Sequence, residues 1–81
     1  CYSNGRFGGV RAAMQLRMTL AEMGMVTIPS LLPIPKVQDT FREDGEPLDP
    51  ETRAHASEFF GEFLWYANAL RSARAAVGVP Y

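Results

Sequence analysis

A glycine-rich turn near the start of the chain carries the residues best suited to chemistry. Ser3 and Asn4 precede three glycines, Gly5, Gly8 and Gly9, which fall within five residues. Glycine can adopt positive φ and lets a ligand approach the backbone closely. A helical pattern follows, and the first N–H groups of a helix have no intrahelical partner. Such a turn can bind an electron-rich ligand atom, for example a phosphate oxygen or a ring carbonyl.

Two familiar nucleotide-binding patterns are absent from this turn. Its glycine spacing differs from the Gly-x-Gly-x-x-Gly of dinucleotide-binding folds. No Lys followed by Ser or Thr comes after the glycines, as a nucleoside-triphosphate loop requires. The pattern alone therefore leaves two readings open: a ligand-binding loop, or a strand-to-helix turn whose glycines only satisfy backbone geometry.

The elements around the turn can be predicted from periodicity. The stretch 9–23 has two apolar lines at helical spacing, and Gly24 follows as the C′ residue. The run 25–28 is apolar and partly β-branched, which predicts a buried strand parallel to one that ends at Ser3. Three prolines between 29 and 35 exclude a helix and a regular central strand, so we expect an extended surface segment there.

A turn and a long helix complete the pattern. Asp44-Gly45 is a strong turn dipeptide, across which Phe41 and Leu48 could close against each other. Asp49 before Pro50 predicts a helix start, with Asp as N-cap and Pro at the first helical position. We expect this helix to run to about residue 76. Its predicted core stripe consists of Ala56, Phe59, Phe60, Phe63, Ala67, Leu70 and Arg74.

The spacing Ser-x-Gly-x-x-Gly-Gly-x-Arg from Ser3, continued by Leu-Arg-x-x-Leu at 16–20, resembles a known family. It is similar to the loop after the fourth strand of the NADPH-dependent FMN reductases, a flavodoxin-like family of quinone, chromate and azo-dye reductases. The similarity continues through residues 21–25, Ile34-Pro35, Asp44-Gly45 and the last helix. It covers nearly the whole chain, but only the C-terminal part of that family's domain.

This resemblance implies an α/β fold for residues 1–81: the C-terminal portion of a single flavodoxin-like three-layer domain whose N-terminal part is missing. The implied order is a strand end, a helix, a strand, a Pro-rich extended loop and a long C-terminal helix. The implied activity is that of an NAD(P)H-dependent FMN reductase, which passes hydride from the nicotinamide to FMN and then to a small-molecule acceptor.

The resemblance also implies the cofactor-binding residues. In the family this loop lies beside the flavin ring, and the matching positions are Ser3, Asn4, Gly5, Arg6, Phe7, Gly8 and Gly9. Backbone N–H groups and the Ser3 hydroxyl could bond the ring's pyrimidine edge, while FMN itself carries the chemistry. Arg6 stands at a variable position and could face ligand or solvent. No catalytic acid or base is expected here, and the 81 residues alone are expected to bind FMN poorly and to be inactive.

Three residues are candidates for contacts between subunits, because the family forms homodimers or homotetramers. Arg11 matches the family motif, and Met14 belongs to the second apolar line of the first helix. Trp65 lies opposite the core stripe of the last helix, where an aromatic residue is either an interface anchor or an ordinary surface residue. For Arg11 and Arg17 the alternative is a solvated helix face.

The composition of the chain limits the classes of partner that it can be expected to bind. The chain has 81 residues, a net charge of −1 and 47% hydrophobic residues, so nothing attracts it to nucleic acid and no run predicts a membrane span. Cys1 cannot form an internal disulfide, and we expect a cytoplasmic location. His55 has no metal-ligand partner and is expected to be structural. Glu58 and Glu62 are expected to face solvent, away from the core stripe.

A second hypothesis stays open from a different class of protein. In it the chain is a non-catalytic helical interaction module, the glycine loop is only a turn, and the Met-lined and aromatic helix faces bind a partner.

Overall fold

The structure of the protein is a computed structural model, which describes residues 1–80. It contains three helices: α1 (Val10–Glu22), α2 (Val37–Thr40) and α3 (Pro50–Val77). Helices account for 56% of the chain and β-bridge residues for 5%. The other described residues form loops and turns before α1, between the helices and after α3.

Helix α1 begins and ends at glycines, as predicted. Gly9 is its N-cap in the left-handed region, with φ of 81°, and no side chain bonds the free N–H groups of its first turn. At the other end Gly24 has φ of 82°, and its N–H donates to the carbonyl of Ala21 (3.0 Å). A left-handed glycine after the last helical residue ends a helix because it has no Cβ to clash. The predicted boundaries are confirmed within one residue.

Helix α3 starts as its sequence predicts. The side chain of Asp49 accepts a hydrogen bond from the N–H of Glu51 (2.9 Å), and Pro50 occupies the first helical position. The helix ends after Val77, where the N–H of Gly78 donates to the carbonyl of Arg74 (2.9 Å). These contacts satisfy backbone groups that the helix ends leave without partners.

The start of the chain pairs with the Pro-rich segment. Tyr2 and Ile34 form a parallel β-bridge, in which Ile34 N–H donates to Cys1 (2.9 Å) and Ser3 N–H donates to Ile34 (3.1 Å). The N–H groups of Lys36 and Val37 then donate to the carbonyls of Gly5 and Ser3 (2.8 and 2.9 Å). The prolines tolerate this pairing because Pro33 and Pro35 alternate with Ile34, so their missing N–H groups face the other edge.

The predicted α/β fold is wrong for this chain. The described residues contain no sheet, only two isolated bridges, and therefore no portion of a flavodoxin-like three-layer fold. The stretch 25–28, predicted to be a strand, has no ladder partner; the Pro-rich segment takes its place beside Tyr2. A β-branched composition favours a strand only where a neighbouring segment pairs with it, and no described residue forms a bridge with 25–28.

The predicted turn at Asp44-Gly45 is confirmed, with a small change in register. Gly45 has φ of 88°, and its N–H donates to the carbonyl of Arg42 (2.9 Å). The residue facing Phe41 across the turn is Pro47 rather than Leu48. A salt bridge between Arg53 and Glu46 (2.6 Å) ties the turn to the first turns of α3.

The described residues enclose no hydrophobic core. No apolar side chain among them is buried, and Phe60 and Phe63 of the predicted core stripe are 55% and 50% exposed. The radius of gyration is 15.6 Å, against about 12 Å for a compact chain of this length. The predicted face of α3 is therefore only partly covered: Ala56, Phe59, Ala67 and Leu70 are half-buried, whereas Phe60, Phe63 and Arg74 are exposed. Within residues 1–80, no helix has the length and apolar character needed to cross a membrane.

Candidate functional site

The glycine turn folds tightly over the paired backbone beneath it. A β-carbon on Gly8 (φ 64°) would lie 2.8 Å from the backbone nitrogen of Ile34. A β-carbon on Gly9 (φ 81°) would lie 2.8 Å from the carbonyl oxygen of Tyr2. Both contacts are too short for a real side chain. Gly8 and Gly9 are therefore required for contact with the chain's own backbone, which is the simpler of the two readings of the motif.

Gly5 differs from the other two glycines. It has no positive φ, and a β-carbon there would meet no atom within 4 Å. Its own geometry does not require glycine, so the open space above it is available to a ligand. No described residue accepts a hydrogen bond from the N–H groups of residues 4 to 7. This segment (residues 4–7, hereafter the open segment) presents free backbone donors to the surface.

Ser3 and Asn4 are partly engaged within the loop. The Ser3 hydroxyl donates to the carbonyl of Gly5 (3.1 Å), which fixes the turn and leaves the hydroxyl oxygen able to accept. The carbonyl of Asn4 accepts from the side-chain amide of Gln38 (3.3 Å), while the Asn4 side chain is exposed. The predicted donor role of the Ser3 hydroxyl toward a ligand would require it to turn away from Gly5.

Two arginines flank one aromatic ring beside the open segment. The guanidinium carbons of Arg6 and Arg11 each lie 5.2 Å from the ring centroid of Phe7, which is 55% exposed. Neither arginine has a carboxylate partner within residues 1–80. Arg11 therefore contacts the loop of its own chain, and both cations stand at the positive end of α1, where no acid offsets them.

Arg17 has a role that the sequence did not reveal. One guanidinium nitrogen, Nη2, shares its two hydrogens among the carbonyls of Ile28 (2.7 Å), Pro29 (2.7 Å) and Ser30 (3.2 Å). These bonds hold the segment after α1 against the helix. The position of Arg17 on the same line as Ala13 and Leu20 was the available signal, because an arginine on an inward line needs acceptors.

The remaining candidate interface residues lie on the surface. Met14 is 48% exposed, and its sulfur lies 3.8 Å from the Arg17 guanidinium. Trp65 is 66% exposed, with its ring edge-to-face against Tyr66 at a centroid distance of 4.8 Å. The structure does not bring Trp65 together with the glycine turn in one site, and the subunit contacts of Arg11, Met14 and Trp65 stay predictions.

A polar groove runs between α3 and the Pro-rich segment. It is lined by His55, Glu58, Phe59 and Glu62 on α3 and by residues 30–33. One carboxylate oxygen of Glu62 is buried and has no hydrogen-bond partner in the described part of the chain. The prediction that Glu62 faces solvent is wrong, because its side chain turns toward the Pro-rich segment. No cluster of three metal-ligating side chains occurs among residues 1–80.

Comparisons of the chain with protein-family models, with curated proteins and with solved structures give no match.

Proposed function

We propose that this chain contributes one side of an FMN site in an NAD(P)H-dependent oxidoreductase. The proposal is supported by the resemblance of the motif at 3–20 to the flavin-ring loop of the FMN reductases. The structural observation that carries it is the open segment: free N–H donors at residues 4–7, with unoccupied space above Gly5. The proposal does not include the flavodoxin-like fold.

The residues of the turn divide into two groups in this proposal. Those that would face the flavin are Asn4, Gly5, Arg6 and Phe7, with the oxygen of Ser3 beside them. Gly8 and Gly9 support them by letting the loop lie close to Tyr2 and Ile34. A ring carbonyl could accept from the free N–H groups, and the exposed Phe7 ring offers an apolar surface.

When bound, FMN supplies the hydride chemistry of such enzymes. The chain's own residues would bind and orient the ring edge, and the guanidiniums of Arg6 and Arg11 would favour negative charge near it. The electron acceptor would be a small molecule. The loop would contact only one edge of the ring, so we propose weak binding by the chain alone.

Nuclear magnetic resonance can detect weak binding residue by residue. We expect FMN at millimolar concentration to shift the backbone amide resonances of residues 4–7 in the isotope-labelled chain. Riboflavin, which lacks the phosphate, should shift the same resonances to the same extent, because only the ring edge is recognised. Gly5→Val should abolish the shifts without altering the fold, since the space above Gly5 is open. Unchanged resonances in the wild type would contradict the proposal.

The interaction module is a second candidate, favoured by the uncovered apolar surface of α3. Phe60, Leu64 and Trp65 are all more than half exposed, which is unusual for large apolar side chains in an isolated protein. Under this alternative the amides of residues 4–7 do not respond to flavin. The same titration therefore separates the two candidates.

A further inference from the structure

We propose that a pocket at the end of α3 binds a small carboxylate that carries an aliphatic chain. The pocket lies between the last turns of α3 and the segment that follows α1, and its volume is about 630 Å³. Volumes of about 300–1,000 Å³ are typical of sites that bind small ligands. The pocket shares no residue with the open segment, so the inference is independent of flavin binding.

The turns that end the two long helices build two walls of this pocket. Gly24 (φ 82°) follows α1 and turns the chain, after which Met25 and Val26 form one wall. Gly78 (φ 77°) follows α3 and turns the chain in the same way, so that residues 79–80 form another wall. Both turns depend on a left-handed residue, a conformation that glycine adopts without strain. The shape of the pocket is therefore set by local backbone geometry.

The third wall is one face of the last turns of α3. Leu70, Ala73 and Val77 lie at helical spacing and line the pocket together. Met25, Val26 and Val77 are 56%, 66% and 84% exposed, so the described chain leaves more than half of each side chain uncovered. Exposed apolar side chains that surround one concave space mark a binding site rather than ordinary surface, where they are scattered singly.

The charge of the pocket selects the chemical class of its ligand. Among residues 1–80, Arg74 is the only charged residue that lines the pocket, and no acid in this range forms a salt bridge with it. A guanidinium binds a carboxylate through two parallel hydrogen bonds, while apolar walls favour a hydrocarbon chain that leaves water. A cationic ligand would meet a like charge, and a phosphate ion would leave the walls uncovered. An aliphatic carboxylate matches both features.

Octanoate is a suitable probe, added to the isotope-labelled chain below the concentration at which it forms micelles. We expect it to shift the backbone amide resonances of residues 24–26 and 77–79 and to leave those of residues 4–7 unchanged. Octylammonium, which has the same chain and the opposite charge, should bind about tenfold more weakly. Each methylene added between butanoate and octanoate should raise the affinity about threefold, because it buries further apolar surface.

Two arginine variants test the role of the charge. Arg74→Met keeps an unbranched apolar side chain and loses the cation, so its affinity for octanoate should fall about fivefold while its affinity for octanol stays unchanged. Arg71→Met is the matched control: it removes the same charge one turn earlier and outside the pocket, and should bind octanoate like the wild type. Circular dichroism verifies that both variants keep the helices. Arg74 also lies in the last turn of α3, where a cation stabilises the helix dipole, but this role would not distinguish octanoate from octanol.

Three results would overturn the proposal. The first is that octanoate leaves the resonances of residues 24–26 and 77–79 unchanged. The second is equal affinity of the wild type for octanoate and octanol, which would indicate that the walls are covered by an apolar partner surface instead. The third is an equal loss of octanoate affinity in Arg74→Met and Arg71→Met. Failure of FMN to shift residues 4–7 changes none of these measurements, so the two proposals fail separately.

Discussion

Gly9 lies so close to Tyr2 that a β-carbon on Gly9 would stand 2.8 Å from the Tyr2 carbonyl oxygen and 3.0 Å from its nitrogen. The same residue has φ of 81° and is the N-cap of α1. One glycine therefore turns the chain, starts the helix and allows the helix to lie on the paired segment. This contact connects the glycine motif to the fold rather than to a ligand.

Gly9→Ala should destabilise the protein by about 1–3 kcal/mol, because alanine would be strained at positive φ and would clash with Tyr2. Urea unfolding followed by circular dichroism measures the change. Gly5→Ala is the matched control and should change the free energy of unfolding by less than about 1 kcal/mol, since nothing lies near its β-carbon. Equal losses for the two variants would contradict the steric argument.

The sequence predicted those parts of the fold that depend on local signals. The start of α3 at Asp49 and Pro50, the end of α1 at Gly24 and the turn at Gly45 follow from capping and positive φ, which single residues decide. Strand pairing depends on residues that are distant in sequence, and its prediction was wrong. The stretch 25–28 has the composition of a strand, but Ile34 between two prolines is the residue that bonds to the first segment.

At the candidate site, too, the sequence indicated local features but not contacts between residues that are distant along the chain. The motif identified the loop, but only the structure separates Gly5, with open space around it, from Gly8 and Gly9, which the backbone requires. Arg17 and Glu62 were misjudged because their partners are distant in sequence: Arg17 bonds carbonyls at 28–30, and Glu62 turns toward the Pro-rich segment. Periodicity gives the face of a helix, not what covers it.

Arg17→Met should loosen the segment that follows α1. Methionine retains much of the apolar stem but loses the donors to three carbonyls, so we expect a loss of about 1–3 kcal/mol in the free energy of unfolding. Nitrogen-15 relaxation should show greater backbone mobility in residues 28–32 and no change in α3. Arg71→Met, on the exposed end of α3, is the control and should have little effect. Unchanged relaxation at 28–32 would show that Arg17 does not hold this segment.

Asp49→Ala should weaken the start of α3. The Asp49 carboxylate is the acceptor for the N–H of Glu51, and losing such a cap costs about 0.5–2 kcal/mol. Asp49→Asn or Asp49→Ser should retain most of the stability, because both side chains can accept the same bond. Thermal unfolding of the three variants compares their stabilities, and we expect Asp49→Ala to be the least stable. A Ser variant as unstable as the Ala variant would indicate that the charge, rather than the hydrogen bond, stabilises this helix end.

Gly61→Ala should stabilise α3, since Gly61 lies inside the helix and a β-carbon there meets nothing within 4 Å. Glycine in a helix interior costs about 0.5–1 kcal/mol relative to alanine. The measurement is the midpoint of urea unfolding. A loss of stability instead would mean that an approaching surface, such as that of a partner chain, needs the space over Gly61. Dilution of the sample separates partner chains, so Gly61→Ala would then become more stable than the wild type.

Glu62→Met should raise the stability of the protein, although it removes a charge from a polar groove. One oxygen of Glu62 is buried without a hydrogen-bond partner, and leaving such an atom unsatisfied costs about 1–3 kcal/mol. Methionine keeps the length of the side chain in the groove that Phe59 also lines, without that cost. Glu58→Met, one turn earlier on an exposed position, is the matched control and should have a smaller effect. If Glu62→Met is instead the less stable variant, the buried oxygen must be bonded in solution, by water or by a ligand in the groove.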